Sequence, residues 1–168
     1  KFFHSVTSGW ITGGVFVVGI SCWYLLRGRE KKFATASALV GGAVGDALGY
    51  PVEFMSSYQT IVETYGGQGI TRLATNAKLY NEHKAYISDD TQMTLFTATG
   101  LLNGYVRSKV RGIFSGYPSY IRHHYKAWYK TQNIRYSEPT ELAYSWLMYD
   151  NKLYSQRAPG VTCLTALE

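Results

Sequence analysis

LVGGAVGDALGYPVEF, residues 39–54, is the stretch that decides the fold of this chain. Its apolar residues recur with the spacing of one helix face, at positions 39, 40, 43, 44, 47 and 48. Gly41, Gly42 and Gly45 lie inside the same run, and each costs about 1 kcal/mol relative to Ala in a helix interior. We therefore expect a helix of little bulk that packs closely against another backbone, and we expect Gly49 and Pro51 to end it.

Glu53 follows this helix directly, between Val52 and Phe54. A carboxylate with apolar neighbours needs a metal ion, a hydrogen-bond donor or water as its partner. The alternative is an ordinary surface carboxylate after a turn. Glu53 is therefore a candidate functional residue.

The segment Ser88-Asp89-Asp90-Thr91 places two adjacent carboxylates between two hydroxyls, ahead of a helix-like run. Such oxygen ligands suit a hard cation such as Mg²⁺, which usually takes one or two protein carboxylates and keeps water at its other positions. The alternative is a helix N-terminus, where Ser and Asp cap free backbone N–H groups. Apolar periodicity predicts helices over residues 91–106, 119–132 and 139–149, so this part of the chain is expected to be all-α.

Together, the patterns Gly-Asp-Ala-Leu-Gly-x-Pro-x-Glu-Phe and Ser-Asp-Asp-Thr-Gln-Met-Thr resemble the ADP-ribosylglycohydrolase family, which includes the dinitrogenase reductase-activating glycohydrolases. The run RAPGVTCLTAL at residues 157–167 is similar to a downstream stretch in many members, so the resemblance extends from about residue 37 to residue 168. It implies an orthogonal all-α domain, a binuclear magnesium centre, and hydrolysis of the glycosidic bond at C1″ of ADP-ribose on a protein or small molecule.

By position, the resemblance also assigns roles to individual residues. It implies that Ser88, Asp89 and Asp90 are metal ligands, with Asp89 also catalytic, and that Glu53 helps to activate or position water. Full-length members supply further ligands from a second motif of the Gly-Asp-x-Asp-Thr kind, which does not occur in this sequence. Because metal affinity follows ligand number and geometry, we expect an incomplete domain that is inactive or nearly so.

The first part of the chain has a different character. Residues 5–26 carry no charge, and four basic residues follow within residues 27–32. About 20 mostly apolar residues cross a bilayer, with aromatic residues at the interfaces and basic residues on the cytoplasmic side. We therefore expect a transmembrane helix in residues 5–26 that anchors a cytoplasmic hydrolase part to the inner membrane, with membrane contact through residues 5–32. The alternative is a buried helix or strand, since Thr, Ser and Gly dilute the hydrophobicity.

The stretches KFFHSVTSGW (1–10) and GISCWYLLRGR (19–29) resemble a transmembrane helix of subunit I of cytochrome bd ubiquinol oxidase. This resemblance covers residues 1–37 and implies that His4 is an axial haem ligand, although one helix offers one ligand and no pocket. Two unrelated resemblances predict a division into residues 1–37 and 38–168, and a chimeric or fused reading frame. The alternative is a deliberate membrane anchor on a glycohydrolase.

A basic and aromatic stretch, residues 105–136, favours another class of function. It contains seven Lys or Arg residues, no acid and several aromatic residues, a combination that can hold unpaired nucleic acid or a nucleotide. The alternative, which we favour, places Tyr120, Tyr125 and Trp128 on a helix core face with the basic residues in water. Of the net charge of +6, +4 lies in residues 1–37, so the high pI is poor support for nucleic-acid binding.

Two smaller features complete the set of candidates. Gly66 and Gly67, in a turn-rich loop, either approach a substrate through their backbone or serve the turn alone. Cys22 and Cys163 have no disulfide or metal spacing, which agrees with a reducing cytoplasm.

Overall fold

A computed structural model describes residues 20, 21, 23, 24, 27–75, 84–113, 115–138 and 143–168 of the chain. Every regular element in these ranges is helical, which agrees with the all-α part of the fold prediction. The chain divides into two compact units, Lys1–Ser88 and Asp89–Glu168. The predicted boundary near residue 37 stays a prediction.

The first unit contains helix α1, Lys31–Gly49, which is the predicted glycine-rich helix. It ends as predicted, because Pro51 follows Gly49 and the chain continues as a 3₁₀ turn, Tyr50–Val52. The predicted close packing does not occur at Gly42 and Gly45 among the described residues. A Cβ built on Gly42 or Gly45 would meet no atom within 4 Å.

The second helix of this unit is α2, Tyr58–Tyr65. Ser57 caps its start, since its side-chain Oγ accepts the backbone N–H of Thr60 at 3.2 Å. Gly66 ends it with φ of 90°, a left-handed conformation that glycine adopts without strain. Both ends of α2 are therefore fixed by local sequence.

The predicted transmembrane helix is the part of the fold prediction that is wrong. Among the described residues, no helix is both long and apolar enough to cross a membrane. Helix α1 has 19 residues and includes two lysines and an aspartate, whose transfer into lipid is costly. Most of residues 5–26, and His4 with them, lie outside the residues that the structure describes.

The second unit is built on two long helices, α3, Asp89–Arg111, and α4, Tyr117–Asn133. Two 3₁₀ turns, Trp146–Tyr149 and Asn151–Leu153, and the short helix α5, Val161–Thr165, complete it. Helix α3 carries acidic residues in its first turn and basic residues in its last, which complements the helix dipole at both ends.

Helices α3 and α4 approach each other closely at two glycines of α3. A Cβ built on Gly100 would lie 3.0 Å from the Cα of Ile121, and one on Gly104 would lie 2.9 Å from Cδ2 of Tyr120. The close backbone packing that glycine signals in a helix therefore occurs here, whereas Gly42 and Gly45 of α1 show none among the described residues. Beside this contact lies a core formed by Phe96, Ala127, Trp128, Leu147 and Leu153.

Candidate functional site

The acidic motif begins at Ser88, which the first unit holds through Asp46 of α1. Ser88 is 2% exposed, and its backbone N–H donates to Oδ2 of Asp46 at 2.8 Å. A hydrogen bond to a carboxylate is among the stronger kinds in proteins. The sequence interpretation missed Asp46, although a lone carboxylate in a helix of small and apolar residues was a usable signal.

Asp89 and Asp90 form the first turn of α3 in the second unit. The backbone N–H of Asp89 donates to the carbonyl oxygen of Arg157 at 3.0 Å. The Asp89 side chain is half-buried, and that of Asp90 is exposed. Their carboxylates therefore lie at the positive end of the helix dipole, as the helix N-terminus interpretation requires, and this placement is compatible with a metal ligand role.

The oxygen ligands of the motif are of the kind that magnesium prefers, but they do not form a complete set of protein ligands around an ion. In the ranges that the structure describes, no group of three or more His, Cys, Asp or Glu side chains can hold a metal ion. Mg²⁺ usually takes one or two carboxylates and keeps several waters. Two carboxylates and a hydroxyl match that preference, so the metal roles of Ser88, Asp89 and Asp90 stay predictions.

A buried amide network lies one helical turn after Asp89. Gln92, which is 1% exposed, accepts hydrogen bonds at Oε1 from Nε1 of Trp128 at 3.0 Å and from Nε2 of Gln132 at 3.1 Å. Its own Nε2 donates to the carbonyl oxygen of Ser155 at 3.2 Å. The network therefore joins the first turns of α3 to the C-terminal half of α4.

The segment Ser155–Arg157 runs along this network and is hydrogen-bonded at each of its three residues. Ser155 accepts from Gln92, Nε2 of Gln156 donates to the carbonyl oxygen of Gln132 at 3.0 Å, and Arg157 accepts from Asp89. We call this segment the strap. It continues into Ala158, whose φ of 59° is strained for a residue with a Cβ.

Glu53 lies in the turn after α1, where its backbone N–H donates to the carbonyl oxygen of Tyr50 at 3.3 Å. Its side chain is exposed, and Phe54 is 70% exposed, so the apolar neighbours do not bury the carboxylate. Burial therefore does not by itself require a partner for the Glu53 carboxylate. Its catalytic role stays a prediction that rests on the motif.

Gly66 and Gly67 are exposed and serve local turn chemistry. Gly66 ends α2, and its carbonyl oxygen accepts the N–H of Gly69 at 2.9 Å. The carbonyl oxygen of Gly67 accepts from the hydroxyl of Tyr58 at 3.4 Å. Substrate binding by these two glycines stays a prediction.

A second buried polar cluster lies farther along α3 and α4, around His124. The Nδ1 of His124 donates to the carbonyl oxygen of Tyr120 at 2.9 Å, because a carbonyl only accepts. In the neutral ring Nε2 then accepts from Nδ2 of Asn103 at 3.4 Å. Burial lowers the pKa of His124 and raises the pKa of the neighbouring Tyr144 hydroxyl. This cluster is a neutral packing element between the helices.

The basic and aromatic stretch separates into a buried and an exposed side on α4. Tyr120 and Trp128 are buried, the latter with 0% exposure, whereas Arg122, Lys126 and Lys130 are exposed. A fully buried ring has no face on which a base can stack. The favoured interpretation, a core face with basic residues in water, therefore describes α4.

Comparison with known proteins gives two findings. A protein-family model described as ADP-ribosylglycohydrolase matches residues 29–168. The chain is also similar to cytochrome bd-II ubiquinol oxidase subunit 1 of Escherichia coli (strain K12), with 49% identity over 45 residues, which are 27% of this chain and 9% of that protein. The chain thus spans a small part of that relative's length. No solved structure matches the chain.

Proposed function

Since this chain belongs to the ADP-ribosylglycohydrolase family, we propose that it acts on the glycosidic bond between ADP-ribose and a protein or small-molecule acceptor. The observation that carries the proposal is the position of Asp89 and Asp90, side by side in the first turn of α3. Adjacent carboxylates at a helix start provide oxygen ligands at fixed spacing, which a hydrated cation requires.

We propose that Ser88, Asp89 and Asp90 supply ligands to magnesium, of which the family site holds two ions. When bound there, the ion would supply Lewis-acid activation of water and a template for the ribose hydroxyls. The chain's own residues set the geometry of these ligands. Asp46 fixes the backbone of Ser88, and Arg157 of the strap accepts the N–H of Asp89. These hydrogen bonds hold the backbone from which the Asp89 and Asp90 carboxylates extend.

Glu53 is proposed as the carboxylate that takes a proton from the attacking water or positions that water. Glycosidic bonds break through an oxocarbenium-like state, which a nearby negative charge stabilises. An exposed carboxylate such as Glu53 is accessible to substrate and water. Gly66 and Gly67 are proposed to meet the substrate through their exposed backbone.

The proposal includes weak metal binding and slow turnover for the chain as it stands. The described residues hold no group of three or more metal-ligating acids, histidines or cysteines. A cation held by two carboxylates exchanges readily and is oriented poorly, because affinity follows ligand number and rigidity. Magnesium-dependent release of ADP-ribose at a rate typical of enzymes, about 1 per second or more, would contradict this.

The test is magnesium-linked stabilisation, measured as the shift in Tm with and without saturating Mg²⁺. An ion at about 100 times its Kd stabilises the folded chain by about 2.7 kcal/mol. We expect this shift in the wild type and its loss in Asp89→Asn and Asp90→Asn. Asp150→Asn is the matched control, since Asp150 is an exposed aspartate whose Oδ1 accepts the Lys152 N–H at 3.0 Å, a bond that Asn retains.

Two results would contradict the metal assignment. One is the absence of any Mg²⁺-dependent shift in the wild type. The other is a shift that persists equally in all three variants, which would locate the cation elsewhere. Binding of ADP-ribose, followed by calorimetry in Mg²⁺ and in EDTA, then reports whether the ion serves the substrate.

A further inference from the structure

We infer that Gln92 is a positioning residue that fixes the first turn of α3, and with it the Asp89 and Asp90 carboxylates, through hydrogen bonds to Trp128, Gln132 and the strap. The inference rests on the proposed function for the metal role of the two aspartates. Its structural content, the dependence of the first turn on Gln92, stands on the hydrogen bonds alone. Nothing in the family motif assigns this role to the glutamine.

The orientation of the Gln92 amide follows from the chemistry of its partners. An indole N–H only donates, so the atom 3.0 Å from Nε1 of Trp128 must be the amide oxygen. The amide nitrogen must then face the Ser155 carbonyl oxygen, which only accepts, at 3.2 Å. A flipped amide would set its NH₂ group against the N–H donors of Trp128 and Gln132 and its oxygen against the Ser155 carbonyl oxygen. The side chain therefore has one allowed orientation.

This orientation links Gln92 to Asp89 by two routes. Along α3, positions 89 and 92 are neighbours on the helix surface because they are three residues apart. Across the strap, Gln92 holds the carbonyl of Ser155, and the carbonyl of Arg157 accepts the N–H of Asp89 at 3.0 Å. Loss of the Gln92 amide therefore releases one end of a three-residue segment whose other end holds Asp89.

A buried polar network is weak evidence for added stability, so we take orientation of the strap as its contribution. Nε2 of Gln132 donates both to Gln92 and to Oγ1 of Thr131 at 2.9 Å, and the buried Oε1 of Gln132 has no hydrogen-bond partner in the described part of the chain. A buried acceptor without a partner is unfavourable, and an apolar side chain of the same shape would avoid it. An apolar side chain, however, could not hold the strap in a fixed orientation through a hydrogen bond.

Three substitutions separate positioning from packing. Gln92→Met keeps the length and volume of the side chain but removes all of its hydrogen bonds. Gln92→Glu keeps the acceptor for Trp128 and Gln132 and places a carboxylate oxygen against the Ser155 carbonyl, so it should release the strap while retaining the α4 contact. Asn103→Leu is the control, because Asn103 lies about three turns farther along α3, outside the Gln92 network, where its side chain is hydrogen-bonded to His124 at 3.4 Å.

Two measurements are made on the full chain, in conditions where urea titration finds all variants folded. The first is the hydrogen-exchange rate of the Asp89 amide, which reports the strap contact directly. The second is the apparent Kd for Mn²⁺, a cation of similar ligand preference, from the electron paramagnetic resonance signal of the free ion. We expect Asp89 exchange at least 10-fold faster and Mn²⁺ affinity about 10-fold weaker in Gln92→Met and Gln92→Glu, the range for lost partners of metal ligands.

Each outcome decides one of the two claims. If Asp89 exchanges no faster in the Gln92 variants than in Asn103→Leu, the positioning role is refuted, whatever the metal does. If the Asp89 amide exchanges faster but Mn²⁺ affinity is equal in all variants, Gln92 holds the turn without affecting how the aspartates bind the ion. The inference is then also overturned. If the wild type binds no Mn²⁺, the proposed function fails, and the exchange rate alone still decides whether Gln92 positions the turn.

Discussion

Asp46→Ala tests the link between the glycine-rich helix and the acidic motif. The substitution removes the carboxylate that accepts the Ser88 N–H at 2.8 Å and leaves that N–H without this acceptor in a residue that is 2% exposed. A hydrogen bond to a charged group contributes about 1.5–3 kcal/mol. Because Asp46 itself is only half-buried, we expect a loss near the lower end, about 1.5–2 kcal/mol of the free energy of unfolding.

Two measurements test the effect of Asp46→Ala on the first unit. Urea denaturation gives the change in unfolding free energy, and hydrogen exchange of the Ser88 amide gives the loss of protection at the bond itself. For a unit of this size the expected loss corresponds to a fall in Tm of roughly 6–16 °C. Asp46→Asn keeps an oxygen acceptor without the charge and should lose about half as much.

Glu63→Ala is the matched control in the same unit. Glu63 is an exposed carboxylate that accepts from Nε2 of Gln59 at 3.0 Å, so its removal should leave the Ser88 amide unaffected. A loss of less than about 0.5 kcal/mol in Asp46→Ala, the usual range for surface changes, or wild-type exchange of the Ser88 amide would show that Asp46 does not hold Ser88.

Three further predictions concern packing, pH and strain. Gly100→Ala places a Cβ 3.0 Å from the Ile121 backbone and should cost about 1–3 kcal/mol in urea denaturation, whereas Gly42→Ala, which meets no atom within 4 Å, should stabilise by about 0.5–1 kcal/mol. Burial lowers the pKa of His124 in the folded chain from the ordinary value of 6.5, so below that pH the unfolded chain binds more protons than the folded chain. The free energy of unfolding should therefore fall as pH drops below 6.5, and this pH dependence should be smaller in His124→Gln. Ala158→Gly relieves a residue at φ 59° and should raise Tm, equivalent to about 1 kcal/mol.

Each of these has a contrary outcome. Equal effects of alanine at Gly100 and Gly42 would mean that α3 and α4 are not in backbone contact. Stability that rises as pH falls from 7 to 5 would mean that His124 is charged in the folded chain. A lower Tm for Ala158→Gly would mean that the strap does not hold that residue in a left-handed conformation.

The sequence predicts well what depends on neighbouring residues. Gly49 and Pro51 end α1 where expected, because glycine and proline act on local backbone conformation. The predicted helices over 91–106 and 119–132 correspond to α3 and α4, each observed to be somewhat longer. The expected helix over 139–149 is a 3₁₀ turn at its described end, Trp146–Tyr149.

The sequence predicts poorly what depends on contacts between distant segments. Glycines in two helices carry the same signal, and nothing local distinguishes Gly42, which faces open space, from Gly100, which meets Ile121. The bond from Ser88 to Asp46 joins residues 42 positions apart, and the Gln92 network depends on where α4 lies. The exposure of the Glu53 side chain likewise does not follow from its apolar neighbours, because it depends on how the turn packs.

Binding of a hard cation by the Ser88–Asp90 oxygens can be followed by adding Mn²⁺ to the isotope-labelled chain and recording its amide resonances. A bound paramagnetic ion broadens the signals of the nearest residues first. We expect the Ser88, Asp89 and Asp90 signals to broaden at the lowest Mn²⁺ concentration and to recover when excess Mg²⁺ competes. Broadening that begins elsewhere, or that Mg²⁺ does not reverse, would contradict this expectation.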